Sequence, residues 1–415
     1  MGAGTAQRGA CLLISGKVRK NMEFVVFAGV LLLLFIFMIV QELIQTKNQE
    51  KLFKKYLREN YGKEPPKEYS LERFARLGSY LERHKEEKQL DDITWNDLGM
   101  DEVFRRIDRT YSAAGEEYLY YTLRNISCGR EALEHLEEVV NWLQEQENIK
   151  VRIQLLMKRL GHLGKYSLYD YLDNLDYLGE RSNRKIVLGN LLYLPFLLLL
   201  FVQPAMGTIG IVLCMLWHIM TYFREKKVIE PYIISFAYVL RLIDVCEELE
   251  KQKIPAYRRE LDELREALKS LRELRRGAYW VMAGNQGKIG GNPLDILADY
   301  LRMILHLDIF QFNRMLEKLR KKTGQVENML AITGYLDMAI SVGGFRKSLE
   351  GYCIPKLEED TEKAFLHMKK GWHPLLSQPV KNSIRADRGI LLTGSNASGK
   401  STFLKMVAVN AVLAQ

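Results

Sequence analysis

Cysteine is scarce in this sequence, and metal-ligand patterns are missing. The five cysteines are scattered along 415 residues with no C-x-x-C pair, which argues against a disulfide scaffold and suits a reducing compartment. None of the seven histidines stands in an H-E-x-x-H or comparable spacing. There is also no Ser/His/Asp or Cys/His signature of a nucleophilic enzyme. We therefore expect any chemistry to depend on a bound ligand.

Neither sign of charge dominates the composition. Lys and Arg number 60 against 51 Asp and Glu, which gives a net charge of +9. This modest excess permits contact with nucleic acid or anionic lipid but establishes neither. The length of 415 residues is enough for two or three domains.

Charged residues are absent from Ile186 to Phe223. One helix of that length would measure about 57 Å, whereas the hydrocarbon core of a bilayer is about 30 Å thick. Gln203-Pro204 and Gly207 divide the run, so it predicts a transmembrane helical hairpin. A hairpin buried in a protein core is the alternative.

Basic residues flank both ends of this run, and its turn has none, so the positive-inside rule predicts that both ends are cytoplasmic. The flanking residues are Arg181, Arg184, Lys185, Arg224, Lys226 and Lys227.

An earlier apolar run, Phe24 to Val40, follows several basic residues. It is at the short end for a membrane span, and a signal peptide is the competing interpretation. No small-x-small cleavage site follows, which favours an uncleaved anchor. If residues 51–185 are cytoplasmic, the basic N-terminus would lie outside; translation from Met22 would remove this conflict.

Most of the chain between the apolar runs and residue 343 is predicted to be helical. Long helical stretches over 228–276 and 294–341 suggest a lever-like core. Arg105, Arg106 and Arg109 are close enough on a helix to form a basic face, although surface ion pairs explain them as well. Residues 284–293 hold four glycines and Asn-Pro, which is typical of a loop.

The end of the sequence carries a phosphate-binding pattern. Gly389 to Thr393 is predicted to be a short buried strand, and residues 402–415 the start of an amphipathic helix. Between them Gly394-Ser-Asn-Ala-Ser-Gly-Lys-Ser401 matches G-x-x-x-x-G-K-[ST], the P-loop. A glycine-rich turn beside an ordinary surface lysine is the alternative.

The residue types suit that chemistry. Gly394 and Gly399 allow the backbone to wrap closely around an anion, and the N–H groups at a helix N-terminus attract phosphate. Lys400 would reach the β- and γ-phosphates, and Ser401 would hold Mg²⁺. The sequence therefore predicts a nucleotide site here.

Several segments beyond residue 343 stand in a recognisable order. They are Tyr352-Cys-Ile-Pro355, Lys370-Gly-Trp-His-Pro-Leu-Leu376, Pro379-Val-Lys-Asn382 and the P-loop through Thr402. In this order they resemble the entry to the ATPase domain of the MutS family of DNA mismatch-repair ATPases. His373-Pro374 matches that family's His-Pro element, and Asn396 matches the Asn inside its P-loop. Residues 91–125 are similar to the start of the family's helical core.

The resemblance implies ATP and Mg²⁺ as cofactors, hydrolysis at composite sites of a homodimer formed through the ATPase domain, and DNA as a ligand. The residues implied to bind phosphates and Mg²⁺ are Gly394, Asn396, Gly399, Lys400, Ser401 and Thr402. No Walker B carboxylate follows the P-loop before Gln415, so we expect these 415 residues alone not to hydrolyse ATP. In the family a separate N-terminal domain reads mismatches with a Phe-x-Glu element. We expect no such element anywhere in this chain, and therefore no mismatch sensor.

The sequence thus predicts a mainly α protein with transmembrane helices, whose lever-like core leads into the start of a P-loop α/β ATPase domain. The predicted parts are an N-terminal tail and anchor (1–46), a helical linker (47–90), a first core part (91–185), the transmembrane hairpin (186–223), a second core part (224–342) and the ATPase part (343–415). We expect a multi-pass protein of the cell membrane, with the core and ATPase part cytoplasmic and the lipid bilayer as a partner. A transporter-type or other membrane P-loop ATPase is the alternative, although its spans lack intramembrane charges. A third alternative is a scaffold protein whose P-loop no longer binds nucleotide.

Overall fold

The computed structural model describes residues 37–415, apart from 65–68, 70, 87, 127–128, 164–166, 276–292, 359–363 and 396–397. The chain divides into two units, Met1–Asn60 and Tyr61–Gln415. In the first unit, residues 37–60 form helix α1, whose apolar side chains from Phe37 to Ile44 are exposed. Most of the first predicted span, and the loop predicted over 284–292, lie outside the described residues.

The second unit is mostly helical, as predicted. Its helices are α2 (Leu71–Arg83), α3 (Asp92–Leu98), α4 (Met100–Ile107), α5 (Ala113–Arg124), α6 (Arg130–Glu145), α7 (Glu147–Leu160), α8 (Leu168–Asp173), α9 (Arg184–Leu191), α10 (Tyr193–Val202), α11 (Pro204–Glu250), α12 (Arg258–Leu271), α13 (Pro293–Leu305), α14 (Leu307–Leu319), α15 (Thr323–Lys347) and α16 (Lys400–Leu413). Short 3-10 turns cover Leu175–Leu178, Pro255–Tyr257 and Arg272–Arg275.

Short polar side chains fix several helix starts. The Asp91 carboxylate accepts a hydrogen bond from the N–H of Thr94 at 2.7 Å, ahead of α3. Ser167 forms a reciprocal capping box with Asp170 at the start of α8. Each cap satisfies backbone donors that have no acceptor within the helix. Gly99, with φ of 68°, separates α3 from α4 in the left-handed conformation that glycine adopts without strain.

Helices α9 and α10 and the first part of α11 form a helical hairpin. α10 ends at Val202 and α11 begins at Pro204, which confirms the predicted break. Proline suits the first helical position because an N–H there would have no intrahelical acceptor.

The two legs of the hairpin approach each other closely at two glycines. A Cβ on Gly207 would lie 2.6 Å from the backbone N of Leu200, and one on Gly210 would lie 2.1 Å from the ring of Phe196. Real side chains cannot come so near, so glycine at these two positions sets the spacing between the legs.

Both legs are long and apolar enough to cross a membrane. The two stretches are Arg184–Val202 and Pro204–Glu230, and only 6% and 28% of their apolar windows are buried inside the structure. A hairpin that formed part of a protein core would be largely buried. The exposure of both legs therefore argues against the alternative that the hairpin is buried in a protein core.

Helix α11 does not end where charged residues return. It continues to Glu250 as one helix of 47 residues, because a change from apolar to charged side chains does not interrupt backbone hydrogen bonding. Pro231 lies inside it and removes one N–H from the ladder. The stretch 294–341, by contrast, is divided among three helices by His306, with φ of 54°, and by residues 320–322.

The main core forms where α15 packs against α5, with α7, α11 and α12 around them. The rings of Tyr257 and Tyr335 stack at 5.4 Å between centroids. Phe236 of α11 meets Phe312 of α14 edge to face at 4.7 Å. The half of α11 that lies beyond the hairpin is therefore part of this core.

A second, smaller core joins α16 to α3, α4 and α15. It contains Trp95, Phe104, Met338, Phe345 and Val409, all buried. This contact places the helix that follows the predicted phosphate loop directly on the helical body.

Two strands precede the predicted phosphate loop, β1 (Leu366–Gly371) and β2 (Asn382–Ala386). They pair antiparallel with Leu366 opposite Ala386, and the register shifts between Met368 and Gly371. The strand predicted over Gly389 to Thr393 is wrong: these residues form no ladder with any described strand, and Leu391 is 88% exposed. An apolar run becomes a strand only where a neighbour supplies the ladder hydrogen bonds.

Candidate functional site

The predicted phosphate loop leads directly into α16. The N–H of Ser398 donates to the carbonyl of Ser395 at 3.3 Å. Gly399 caps the helix with φ of 85°, a conformation that glycine adopts without a steric penalty. Asn396, predicted to bind phosphate, lies with Ala397 outside the described residues.

The N-terminus of α16 has donors for an anion. Within α16 the first N–H that pairs is that of Phe403, which donates to the Gly399 carbonyl at 2.9 Å. The N–H groups of the residues before it have no acceptor inside the helix, as at any helix N-terminus. Ser401 and Thr402 stand in this first turn with exposed side chains. Backbone donors and two hydroxyls therefore share one exposed end of the helix.

The Lys400 side chain folds back across the loop. Its ammonium donates to the carbonyl of Gly394 and to that of Ser395, the latter at 2.6 Å. A Cβ on Gly394 would lie 2.8 Å from Oγ of Ser398, so the close turn favours glycine there. The structure thus brings Gly394, Gly399, Lys400, Ser401 and Thr402 together.

The described residues contain no group of three or more His, Cys, Asp or Glu side chains that could hold a metal ion by itself. A magnesium ion at the loop would need phosphate oxygens beside the Ser401 hydroxyl, which is how a nucleotide-bound Mg²⁺ is held. The exposed hydroxyl at the start of α16 fits that use.

The His373-Pro374 element lies beneath α16. His373 is buried, and its Nδ1 accepts a hydrogen bond from the N–H of Leu375 at 3.3 Å. Burial, with a smaller effect of the Lys405 ammonium, lowers the pKa of His373 below its ordinary value, so the ring is neutral at pH 7. Asn410 of α16 donates to the carbonyl of Trp372 at 2.9 Å. This segment therefore fixes the position of the helix.

A polar contact joins the start of α5 to α15 and was not predicted from the sequence. The Asp337 carboxylate accepts hydrogen bonds from the N–H of Ser112 at 2.8 Å and of Tyr111 at 3.0 Å. Four residues on, Ser341 Oγ donates to the Ile107 carbonyl at 2.8 Å. The signal in the sequence was an Asp within the apolar run Tyr335-Leu-Asp-Met-Ala-Ile.

The three arginines suggested as a basic face do not form one free surface. Arg105 pairs with Glu102 at 3.0 Å, and Arg106 with Glu64 at 3.3 Å. Arg109 lies beyond the end of α4 and donates to the carbonyls of Arg106 and Ile107. The ion-pair alternative therefore describes Arg105 and Arg106 better.

The expectation that the chain contains no Phe-x-Glu is wrong, because one such spacing occurs at Phe223-Arg224-Glu225. It lies within α11 at the foot of the hairpin, and Glu225 pairs with Arg181. It is therefore not part of a separate N-terminal reading domain.

No protein-family profile matches the chain. It is similar to MutS protein homolog 4 of Homo sapiens, with 28% identity over 123 residues that cover 28% of this chain and 12% of that protein. It is also similar to the DNA mismatch repair protein MutS of Leptospira interrogans, with 31% identity over 124 residues covering 27% of this chain and 14% of the relative. Endonuclease MutS2 of Streptococcus suis is 29% identical over 112 residues, 25% of this chain and 14% of that protein.

These similarities are partial on both sides. They cover between 25% and 28% of this chain and 12% to 14% of the relatives. The chain is thus similar to MutS-type proteins over about a quarter of its length, less than the resemblance over most of residues 91–415 that the sequence suggested.

Proposed function

We propose that this chain is a membrane-tethered, MutS-like protein that binds ATP with Mg²⁺ at the loop from Gly394 to Thr402. The observation that carries the proposal is the geometry of this loop. A glycine in the left-handed conformation caps α16, and a lysine lies across the loop beside exposed first-turn hydroxyls.

On nucleotide binding, the Lys400 ammonium would exchange its carbonyl acceptors for phosphate oxygens. Lys400 donates to two loop carbonyls, and phosphate oxygens, which carry negative charge, are the stronger acceptors for an ammonium. The exchange turns Lys400 towards the ligand, while the free N–H groups of α16 and its dipole favour the same anion. Ser401 then supplies a hydroxyl to the Mg²⁺ that the phosphates bring.

The second core connects this event to the helical body. Val409 of α16 is buried with Met338 and Phe345 of α15, and α15 in turn packs along α5. A shift of α16 on nucleotide binding therefore acts on a packed helix, not on a solvent-exposed loop. By analogy with the MutS relatives, we propose that these helices act as levers in a homodimer formed through the nucleotide-binding parts.

DNA is the proposed macromolecular ligand, because the relatives named above include DNA mismatch repair proteins. We propose DNA binding without mismatch reading, since the only Phe-x-Glu spacing belongs to the foot of the hairpin. Electrophoretic mobility shifts with homoduplex and mismatched duplex at physiological salt test this. A clear preference for the mismatch would overturn it.

The membrane tether rests on the exposed apolar legs of the hairpin. We propose that both legs cross the cell membrane and that the helical body and P-loop lie in the cytoplasm. Cysteine accessibility in intact cells tests the topology. A cysteine placed at Gln203 should react with an impermeant maleimide from outside, and one placed at Lys227 should not.

Fluorescent ATP binding to the purified chain, with Mg²⁺, tests the site itself. Lys400→Ala should weaken binding at least tenfold, because an ammonium–phosphate contact is lost. Lys369→Ala is the matched control, since Lys369 is an exposed lysine of β1. Equal binding by wild type and Lys400→Ala would refute the assignment.

A further inference from the structure

Four exposed cations lie at the foot of the hairpin without an acidic partner. We call Arg184, Lys185, Arg224 and Lys227 the collar. Among the residues that the structure describes, no carboxylate lies within ion-pairing distance of any of them. The neighbouring cations differ: Arg181 pairs with Glu225, and Lys226 donates to the Tyr222 hydroxyl at 3.0 Å.

The collar residues come from both legs but lie at a similar distance from the turn, measured along the hairpin. Arg184 starts the 19-residue stretch that ends at Val202, which corresponds to about 28 Å of helix. Arg224 follows Pro204 by a similar length, about 30 Å. These lengths equal the thickness of the hydrocarbon core of a bilayer, about 30 Å. If the turn is at one face of the bilayer, the collar is at the other.

Contacts between the two legs, and between the hairpin and the helical body, keep the collar residues of both legs at the same height along the hairpin. The close contacts at Gly207 and Gly210 fix one leg against the other. On the body side, Asn190 donates to the carbonyl of Leu305 at 3.0 Å, and the rings of His218 and His306 approach to 3.3 Å between their Nδ1 atoms. Sliding of either leg would break these contacts.

The surface next to the collar is apolar and open. Trp217, Met220 and Phe223 are exposed on α11, all within two turns of Arg224. Lipid tails cover such side chains, whereas duplex DNA offers them no apolar surface. The phosphates that come within reach of the collar are then those of the lipid head groups.

We propose that the collar binds the phosphate groups of anionic phospholipids at the cytoplasmic leaflet. This inference rests on the proposed membrane insertion of the hairpin. Each cation within reach of the head groups favours an anionic lipid over a zwitterionic one. The collar therefore selects the lipids around the hairpin and resists its tilting, since tilting would lift some of the cations away from the head groups.

The test uses the full chain reconstituted in phosphatidylcholine vesicles containing spin-labelled phosphatidylglycerol or spin-labelled phosphatidylcholine. The relative association constant is read from the motionally restricted part of the spectrum. Wild type should favour phosphatidylglycerol severalfold at low salt, and this preference should decline with salt because exposed charges are screened. The variant Arg184→Gln/Lys185→Gln/Arg224→Gln/Lys227→Gln should show no preference.

A matched control removes four exposed cations that are ion-paired within the protein: Lys85, Arg259, Lys269 and Lys321, each changed to Gln. It has the same net charge as the collar variant and should keep the preference. Arg184→Lys/Arg224→Lys should keep it too, since it preserves the charge.

The outcomes separate the two proposals. Equal association constants for the two lipids in wild type, or an unchanged preference in the collar variant, overturn the collar alone. A wild-type protein that restricts no lipid overturns membrane insertion and the collar with it. Binding of a duplex oligonucleotide that is lost in the collar variant, without any lipid preference, would assign the cations to nucleic acid and overturn the proposal.

Discussion

Ser112 Oγ donates a hydrogen bond of 2.6 Å to Oδ2 of Asp337, 225 residues further along the chain. Both residues are fully buried. The same hydroxyl accepts from the N–H of Gly115 and so caps α5, while Asp337 belongs to α15. One carboxylate thus fixes the start of one core helix against the middle of another.

Asp337→Ala should lower the free energy of unfolding by about 3 kcal/mol, because the buried hydroxyl and N–H of Ser112 would lose their acceptor at Asp337 and the half-buried N–H of Tyr111 would lose it too. Asp337→Asn keeps one acceptor oxygen and should cost less. Urea titration of the protein in detergent micelles, followed by circular dichroism, measures both. Equal stability of Asp337→Ala and wild type would show that the contact contributes nothing.

Glu117 predicts a pH dependence of stability. Its side chain is buried, and burial raises the pKa of the carboxyl to about 8, against a lowering effect of the Ser167 hydroxyl, which donates to it at 2.9 Å. Between about pH 4.5, the ordinary pKa of Glu, and about pH 8, the unfolded chain is ionised while the folded chain keeps the proton. Stability contributed by this group therefore falls as pH rises through that window.

The Glu117→Gln variant removes the titration while keeping an acceptor for Ser167. It should be more stable than wild type at pH 8, and the difference should shrink towards pH 5. Melting temperatures over that range measure the effect. A constant difference at every pH would contradict the assignment.

Gly210→Ala should disturb the hairpin, because the added Cβ would lie 2.1 Å from the Phe196 ring. Overpacking of this kind costs about 1–3 kcal/mol. Gly324→Ala is the control: it lies in α15, and a Cβ there meets nothing within 4 Å. The melting temperature in detergent should decline for the first variant and hold or rise for the second.

Gly399→Ala tests the backbone of the phosphate loop. A Cβ there would meet no neighbour, but φ is +85°, and a left-handed conformation costs a residue with a side chain roughly 1–2 kcal/mol. The loop should relax away from that conformation, and nucleotide affinity should drop by about 5- to 30-fold. Gly389→Ala, at a glycine with open space and no positive φ, should leave affinity unchanged.

The local features of the hairpin could be predicted from the sequence. A charge-free run and a proline in its middle were enough for the break between Val202 and Pro204, since both signals act within a few residues. The His306 turn was missed because neither glycine nor proline marks it. The contact between Ser112 and Asp337 joins helices that are far apart in sequence, and periodicity within one helix carries no information about it.

The local structure of the candidate site was predicted in part. A helix follows the phosphate-binding pattern and has glycine at its cap, because φ preferences of glycine are local. The strand before it was wrong, since the apolar residues 390–392 say nothing about which strand would pair with them. The back-folded Lys400 could not be predicted either, because a lysine side chain has many rotamers and its acceptors here are backbone carbonyls.

The continuity of α11 gives the protein a long rod, about 70 Å at 1.5 Å per residue. Backbone hydrogen bonds resist bending everywhere along it except at Pro231, where one N–H is missing. The proline follows the collar by four residues and lies within the packed core, between the buried Ile229 and Ile233. Core packing on both sides therefore supports α11 where its hydrogen-bond ladder lacks one bond. About 40 Å of helix separates this proline from the turn near Gln203, so a tilt of about 10° would move the turn by roughly 7 Å. The core contacts of Tyr222 and Ile229 oppose such a tilt.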